Sequence, residues 1–368
     1  MREVRIVADD LTGALDSGCA FASTLEPVIV GLPWRSLPWG RKIAFSTESR
    51  DQTEEIATGR VRSAVQALNV ATAVDAIWFK KVDSVLRGHA IAETQVAFSA
   101  GNFDHCVFAP AFPAMGRMTA GGRQFTVTAD GVATPVGPNF VDAFLESGLA
   151  SKIFDADNKG SVSALPLPDV LLVDADDQQK LASRIAVLSG QLRDRRVLWS
   201  GAGGLAAAFG GTPPAAHFPP VRYIIVGTNH PTTRAQTLAL SVSGLVTTIP
   251  RDEYAKQWVQ LPHLIAPALT AASADETAER IRWSVQDMQI EDPQNTSIIV
   301  TGGATLSNVL QAAGVEFLEC VGEAMTGIAV SRVRGGRWEG ITVLSKSGGF
   351  GTAQIFADLL KPYAVSMK

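Results

Sequence analysis

The chain has 368 residues and a formal charge of -4, so it carries no basic excess, and neither nucleic acid nor an anionic membrane is an expected partner. That length exceeds one ordinary core and fits two α/β domains. Three cysteines spaced far apart (Cys19, Cys106, Cys320), no apolar leader before the first strand and no run of 18 apolar residues all point to a reducing, cytoplasmic setting.

Residues 4–7 are a short β-branched apolar run, after which Leu11, Leu15, Cys19 and Phe21 keep helical spacing, so a strand, a tight loop and a helix are expected. Asp9 and Asp10 fall in the loop, and the carboxyl edge of an open parallel sheet is where ligands collect. Two adjacent carboxylates repel unless a cation, a donor or a shared proton intervenes. Asp16 follows along the helix, while Thr12 and Gly13 leave room for a ligand. Helix capping is the plainer reading, but a cap needs only one Asp.

Strands are expected at 27–31 and 42–47, the second ending in Glu48-Ser49-Arg50 before a helix at 53–68. Strand 76–80 then delivers Lys81, Asp83 and Arg87 ahead of a helix from residue 90, repeating the opening arrangement and pointing to a shared pocket. The planar Arg fork and compact Lys charge suit an acidic substrate, while an Asp can manage its hydroxyls; a solvated charge cluster is the ordinary alternative. A strand at 105–109 leads to a Gly-rich stretch at 116–122. Residues 125–128 and Val132, flanking Asp130-Gly131, read as a hairpin, a candidate lid or contact in a homo-oligomer. A helix from 140, a strand at 169–173, a helix at 176–192 and a strand at 196–199 complete a first domain over 1–210.

Gly201-Ala202-Gly203-Gly204-Leu205-Ala206 matches the G-x-G-x-x-A dinucleotide fingerprint in form. The acidic residue expected about 20 positions later is missing, so a tight turn with close helix packing explains the glycines better. Proline and glycine mark 211–220 as a linker, and a second domain over 221–368 begins at once. Its strand at 223–226 runs into a loop with Thr228, Asn229 and His230 and a helix carrying Thr233, Arg234 and Gln236. Strand 297–300 leads to Gly302, Gly303, Ala304 and Thr305, and strand 341–344 to Lys346, Gly348, Gly349 and Gly351, each ahead of a helix. Three small-residue loops at strand-to-helix junctions suit a polyphosphate, because glycines let backbone N–H groups converge and Lys346 can neutralise the β or γ phosphate. The spacing is not that of a Walker A loop. Mg2+ is expected on the phosphates with few protein ligands, and the five histidines lack metal-ligand spacing, so no protein metal site is expected.

In order along nearly the whole chain, ADDLTGALDSG, KKVDSVLRG, APAFPAMGR, TRAQ, TGGAT and KSGGFG resemble the motifs of the four-carbon acid sugar kinase family. The resemblance implies a sugar-acid-binding domain, then a nucleotide-binding domain, with the ligand site in the interdomain cleft and ATP phosphorylating a terminal hydroxyl of a tetronate-like acid. It places substrate on Asp9, Asp10, Asp16, Ser49, Arg50, Lys81, Asp83 and Arg87. ATP falls on Thr228, Asn229, His230, Gly302, Gly303, Ala304, Thr305 and the glycines of KSGGFG. There are departures: Ala304 stands where members usually carry an acid, Asn229 and His230 interrupt a commonly serine-rich segment, and the stretch after Gly122 is shortened.

Phosphoryl transfer asks for alignment, charge neutralisation and a carboxylate to take the hydroxyl proton. Asp10 or Asp9 is the expected base, with Arg87, aided by Arg50 or Lys81, on the substrate carboxylate. The rival readings are a nicotinamide oxidoreductase using 201–206 and a catalytically silent sugar-acid-binding protein.

Overall fold

Short β-branched runs closed by polar or glycine loops become strands buried on both faces, as a helix-covered parallel sheet requires. The computed structural model describes residues 2–364 other than 24, 71, 74, 129, 155–166, 248–260 and 272. The chain divides into two units, Met1–Phe21 with Val30–Pro213, and Ala22–Ile29 with Pro214–Lys368.

The first unit holds β1 (Val4–Ala8), β3 (Lys42–Ser46), β4 (Ile77–Lys81) and β5 (His105–Ala109), while β2 (Val28–Gly31) straddles the division. It continues with β6 (Arg117–Ala120), β7 (Arg123–Val127), β8 (Ala133–Asn139), β9 (Ser151–Ile153), β10 (Val170–Leu172) and β11 (Val197–Gly201). Its helices are α1 (Leu11–Phe21), α2 (Glu54–Asn69), α3 (Ala90–Ala100), α4 (Phe140–Glu146), α5 (Gln178–Gln191) and α6 (Gly203–Gly210). Strands β3-β1-β4-β11-β5-β10-β9 run side by side and all parallel. Trp78, Phe108, Phe140 and Phe144 are fully buried, and Phe108 meets the rings of Phe140 and Phe144 edge-on at 5.0 and 5.1 Å, which anchors α4.

The expected hairpin is instead two arms of a three-stranded antiparallel sheet, β6-β7-β8, with the Asp130-Gly131 turn between β7 and β8. Buried Gln124 of β7 explains the third strand's place. Its amide donates to the carbonyls of Ser84 and Pro110 at 2.9 and 3.2 Å and accepts from Thr119 of β6 at 2.6 Å, tying the small sheet to the loops after β4 and β5.

The second unit contains β12 (Val221–Val226), β13 (His263–Ile265), β14 (Ser297–Thr301), β15 (Phe317–Met325), β16 (Ile328–Arg334) and β17 (Thr342–Lys346). Its helices are α7 (Pro231–Ser241), α8 (Ala274–Asp287), α9 (Gly303–Ala312) and α10 (Ile355–Ala364). The order is β13-β12-β14-β17-β16-β15, parallel through β17 and antiparallel at β16 and β15. The larger run of strands in each unit is thus mainly parallel, as the alternation of apolar runs and helical spacing implies. No described helix is long and apolar enough to cross a membrane.

Candidate active site

In the first unit, Ala8 at the end of β1 pairs in register with Ser46 of β3 and Lys81 of β4, so the loops that follow these three strands emerge together. That register brings residues more than 70 positions apart into one cluster. Arg50 forks onto Asp9, Nε to Oδ2 at 2.7 Å and Nη2 to Oδ1 at 3.0 Å, while Nη1 donates to Asp10 Oδ2 at 2.7 Å. Its Nη2 also lies 3.7 Å from Asp83 Oδ2, and Asp83 is gripped by Arg87 through Nε at 3.1 Å and Nη2 at 2.5 Å.

Asp10 also shapes the first turn of α1. Its Oδ1 accepts from Gly13 N at 2.7 Å and its Oδ2 from Thr12 Oγ1 at 2.6 Å. A Cβ on Gly13 would stand 2.6 Å from Asp10 Oδ1 and 3.3 Å from Lys81 Cγ, so only glycine fits there. Capping and clustering therefore coexist in Asp10. Glu48, at a positive φ of 47°, accepts from Leu11 N at 3.1 Å and Ser46 Oγ at 2.8 Å, a role its place in Glu48-Ser49-Arg50 does not announce. Ser49 is buried, its hydroxyl 2.7 Å from that of Thr47 and its N–H on the Asp9 carbonyl at 2.9 Å. Lys81 is also buried, donating to the carbonyl of Val82 at 2.9 Å. Lys80, next to it on β4, forms a fully buried pair at 2.7 Å with Glu93 of α3.

Burial alone would raise the Asp9 carboxyl, but Arg50 first and then Lys80 outweigh it and hold it below the ordinary carboxylate range. Asp83 is likewise depressed against its burial, by the Arg87 hydrogen bond and then by Arg50. Burial would lower the Arg50 guanidinium, yet Asp10 and Asp9 raise it, so its charge is fixed. Asp16 goes the other way: burial raises it, Lys81 opposes, and the charge of Asp10 adds to the rise. The sequence expectation that Arg50 offers its fork to a ligand meets a fork filled by the protein's own carboxylates. Arg87, 59% exposed at its side chain, is the more accessible guanidinium.

The glycines at the end of β11 and in α6 have close packing partners. A Cβ would meet Ala109 O at 2.2 Å from Gly201, Asp16 Oδ2 at 2.8 Å from Gly203, Ala111 O at 2.3 Å from Gly204 and Ala20 O at 1.6 Å from Gly210. These glycines let α6 lie against α1 and the loop after β5, which accounts for the run without a dinucleotide.

In the second unit, β12, β14 and β17 are neighbours, with Val226 opposite Thr301 and Thr301 opposite Lys346. The three small-residue loops therefore emerge side by side at one carboxyl edge. Gly302, at φ 98°, caps α9 and donates from N to the Lys346 carbonyl at 2.8 Å. Thr228 Oγ1 and His230 Nε2 each stand 3.2 Å from where a Cβ on Gly348 or Gly349 would lie, and Thr305 Oγ1 is 2.3 Å from that position on Gly227. His230 Nδ1 accepts from Thr232 N at 3.2 Å, so in the neutral ring the proton is on Nε2, toward Gly349. Ala304 lies in the first turn of α9, and Asn229 beside His230 in the loop after β12.

Lys346 is placed otherwise than a phosphate ligand would be. Its side chain is fully buried, its Nζ donates to the carbonyls of Ser347 at 2.7 Å and Phe350 at 3.0 Å, and burial pushes it down to about 7. Thr233 and Gln236 of α7, present in the TRAQ motif but without an assigned task, also hold the carbonyls of this loop. Among the described residues, no three His, Cys, Asp or Glu side chains gather as a metal centre.

Two family models match the chain: a sugar-binding N-terminal domain over residues 4–151 and a nucleotide-binding C-terminal domain over residues 269–356. A D-threonate kinase of Bordetella bronchiseptica is 29% identical over 395 residues, covering 96% of this chain and 95% of the relative. A D-threonate kinase of Cupriavidus necator is 27% identical over 380 residues, covering 89% of each, and a D-erythronate kinase of Heliobacterium modesticaldum is 31% identical over 185 residues, covering 46% and 40%. A solved structure from Salmonella typhimurium LT2 shares the fold, with a TM-score of 0.73 at 17% identity over 97% of this chain and 98% of that one.

Proposed function

The chain belongs to the four-carbon acid sugar kinase family, and on that premise we propose that it transfers the γ-phosphoryl group of ATP to a terminal hydroxyl of a short sugar acid in the cytoplasm. The observation that carries this reading is the coexistence in one chain of two chemistries. Three carboxylates with Arg50 and Arg87 close one carboxyl edge, and three adjacent glycine loops line another. The first suits a polyhydroxy acid, the second a polyphosphate.

Asp10 is the favoured base. Both carboxylates accept at each oxygen, Asp9 from Arg50 and Asp10 from Gly13, Thr12 and Arg50. The Asp9 side chain is 4% exposed and that of Asp10 13%, however, so Asp10 is the one an acceptor hydroxyl reaches. Asp9 then orients Arg50, which lies across the pair. As the acceptor oxygen bonds to the γ phosphorus, its proton passes to Asp10 and the bond to the bridging oxygen breaks, leaving its electron pair on ADP. Arg87 takes the substrate carboxylate, with Asp16 and Asp83 facing its hydroxyls. Mg2+, if bound with the nucleotide, would supply charge neutralisation, and the glycine loops would offer it the hydroxyls of Thr228 and Thr305 but no carboxylate.

The test is a panel of four- to six-carbon sugar acids with Mg-ATP, read by ADP release and product mass. A four-carbon acid that drives ADP release and gains one phosphoryl group supports the reading. A nicotinamide absorbance change, or tight acid binding with no ADP from any member, replaces it with one of the rival classes.

A further inference from the structure

The loop after β17 is held from underneath. Lys346 Nζ lies 2.7, 3.4 and 3.0 Å from the carbonyl oxygens of Ser347, Gly348 and Phe350. Thr233 Oγ1 donates to the Gly348 carbonyl at 2.6 Å, and Gln236 Nε2 stands 2.8, 3.0 and 3.0 Å from those of Phe350, Gly351 and Thr352. All three donors are fully buried. Within a peptide unit the C=O and the following N–H point in opposite directions, so carbonyls drawn inward turn the next amides outward. Among the described residues the amides of Gly348, Gly349 and Gly351 meet no protein acceptor, while Phe350 N turns back to the Ser347 carbonyl at 3.2 Å.

We propose that Lys346 is a positioning residue and not a phosphate ligand: with Thr233 and Gln236 it pins the loop's carbonyls inward, and the amides so presented are what the nucleotide phosphates meet. This rests on the nucleotide reading above and assigns the phosphate contact to backbone instead of to the lysine charge. Successive outward amides form an anion-binding concavity without any side-chain cation. The ammonium faces carbonyls and, at 5.9 Å, the Phe356 ring. His230 stands against Gly348 and Gly349, and burial acts on the lysine's titration, with no charged group among the described residues of the surrounding elements contributing. Above a pH of about 7 the neutral amine has two N–H donors for three carbonyls, and the loop loosens.

Calorimetric titration of the full chain with Mg-ADP and with a non-hydrolysable Mg-ATP analogue, between pH 6 and 9, decides the matter. Lys346→Met should weaken both ligands by the same factor, about tenfold or more. Gln236→Leu and Thr233→Val, which remove no charge, should also weaken both equally. The Lys346→Met/Gln236→Leu pair should lose less than the product of the single losses, because both act on one loop. Affinity of the unaltered protein should fall as pH rises past about 7, and that of Lys346→Met should stay flat. A loss at least tenfold larger for the triphosphate than for the diphosphate, or Gln236→Leu and Thr233→Val binding as tightly as the unaltered chain, overturns the proposal. If the unaltered protein takes up neither nucleotide, the kinase reading falls and this one with it.

Discussion

Replacing Arg50 with Met should expose how far the acid cluster depends on one guanidinium. Arg50 makes three hydrogen bonds of 2.7–3.0 Å to Asp9 and Asp10, and its side chain is only 12% exposed. Removing one partner of a buried ion pair leaves a charge without compensation and typically costs about 3–5 kcal/mol. Asp9 is the group left stranded. With Arg50 present its folded-state carboxyl is depressed, so it contributes stability above the unfolded value of about 3.9 and loses that contribution as pH falls. Without Arg50, burial, the largest influence on Asp9, is opposed only by the charges of Lys80 and Lys81, and the carboxyl is expected to rise. What stability it contributes is then present at acid pH and lost as pH climbs through the raised value. The deficit of Arg50→Met should therefore be about 3–5 kcal/mol at pH 7.5 in urea unfolding and clearly smaller near pH 4.5. Adding Asp9→Asn should recover part of it, since the stranded charge is gone. A deficit below about 1 kcal/mol, or one that does not change with pH, would refute the reasoning.

Asp10→Asn should lower turnover by about 10²- to 10⁴-fold while leaving sugar-acid affinity within a few-fold, measured by coupled ADP release and by calorimetry; retention of full turnover removes Asp10 as the base. Gly210→Ala should destabilise the first unit by about 1–3 kcal/mol in denaturant, because the new Cβ would stand 1.6 Å from the Ala20 carbonyl and α6 must move off α1. An unchanged midpoint would show that the two helices do not approach so closely.

The strand-loop-helix junctions were legible because each is written locally. An apolar β-branched run such as residues 4–7 gives way within a few positions to helical spacing, and the register of parallel neighbours then sets the loops side by side. Strands β15 and β16 were not anticipated. Phe317–Met325 alternates buried and half-exposed positions and includes Glu319, Gly322 and Glu323, so its stability comes from pairing with β16 and not from a continuous apolar run. β6 is short and polar for the same reason, held by β7 and by Gln124. Within the site, sequence could nominate Asp9, Asp10, Arg50, Asp83 and Arg87 but not who binds whom, since Arg50 meets carboxylates forty positions earlier in the chain. Lys346 shows the limit most plainly: a lysine in a glycine loop reads as a phosphate ligand until burial and its carbonyl partners are known.

Residues Ala22–Ile29 belong to the second unit although both of their flanks belong to the first. During synthesis these eight residues leave the ribosome almost two hundred positions ahead of the rest of their own unit, so the nascent first half carries a segment whose packing companions do not yet exist. An expression fragment beginning at Pro214 would lack that segment. A better-behaved truncation would graft it back, for instance by circular permutation.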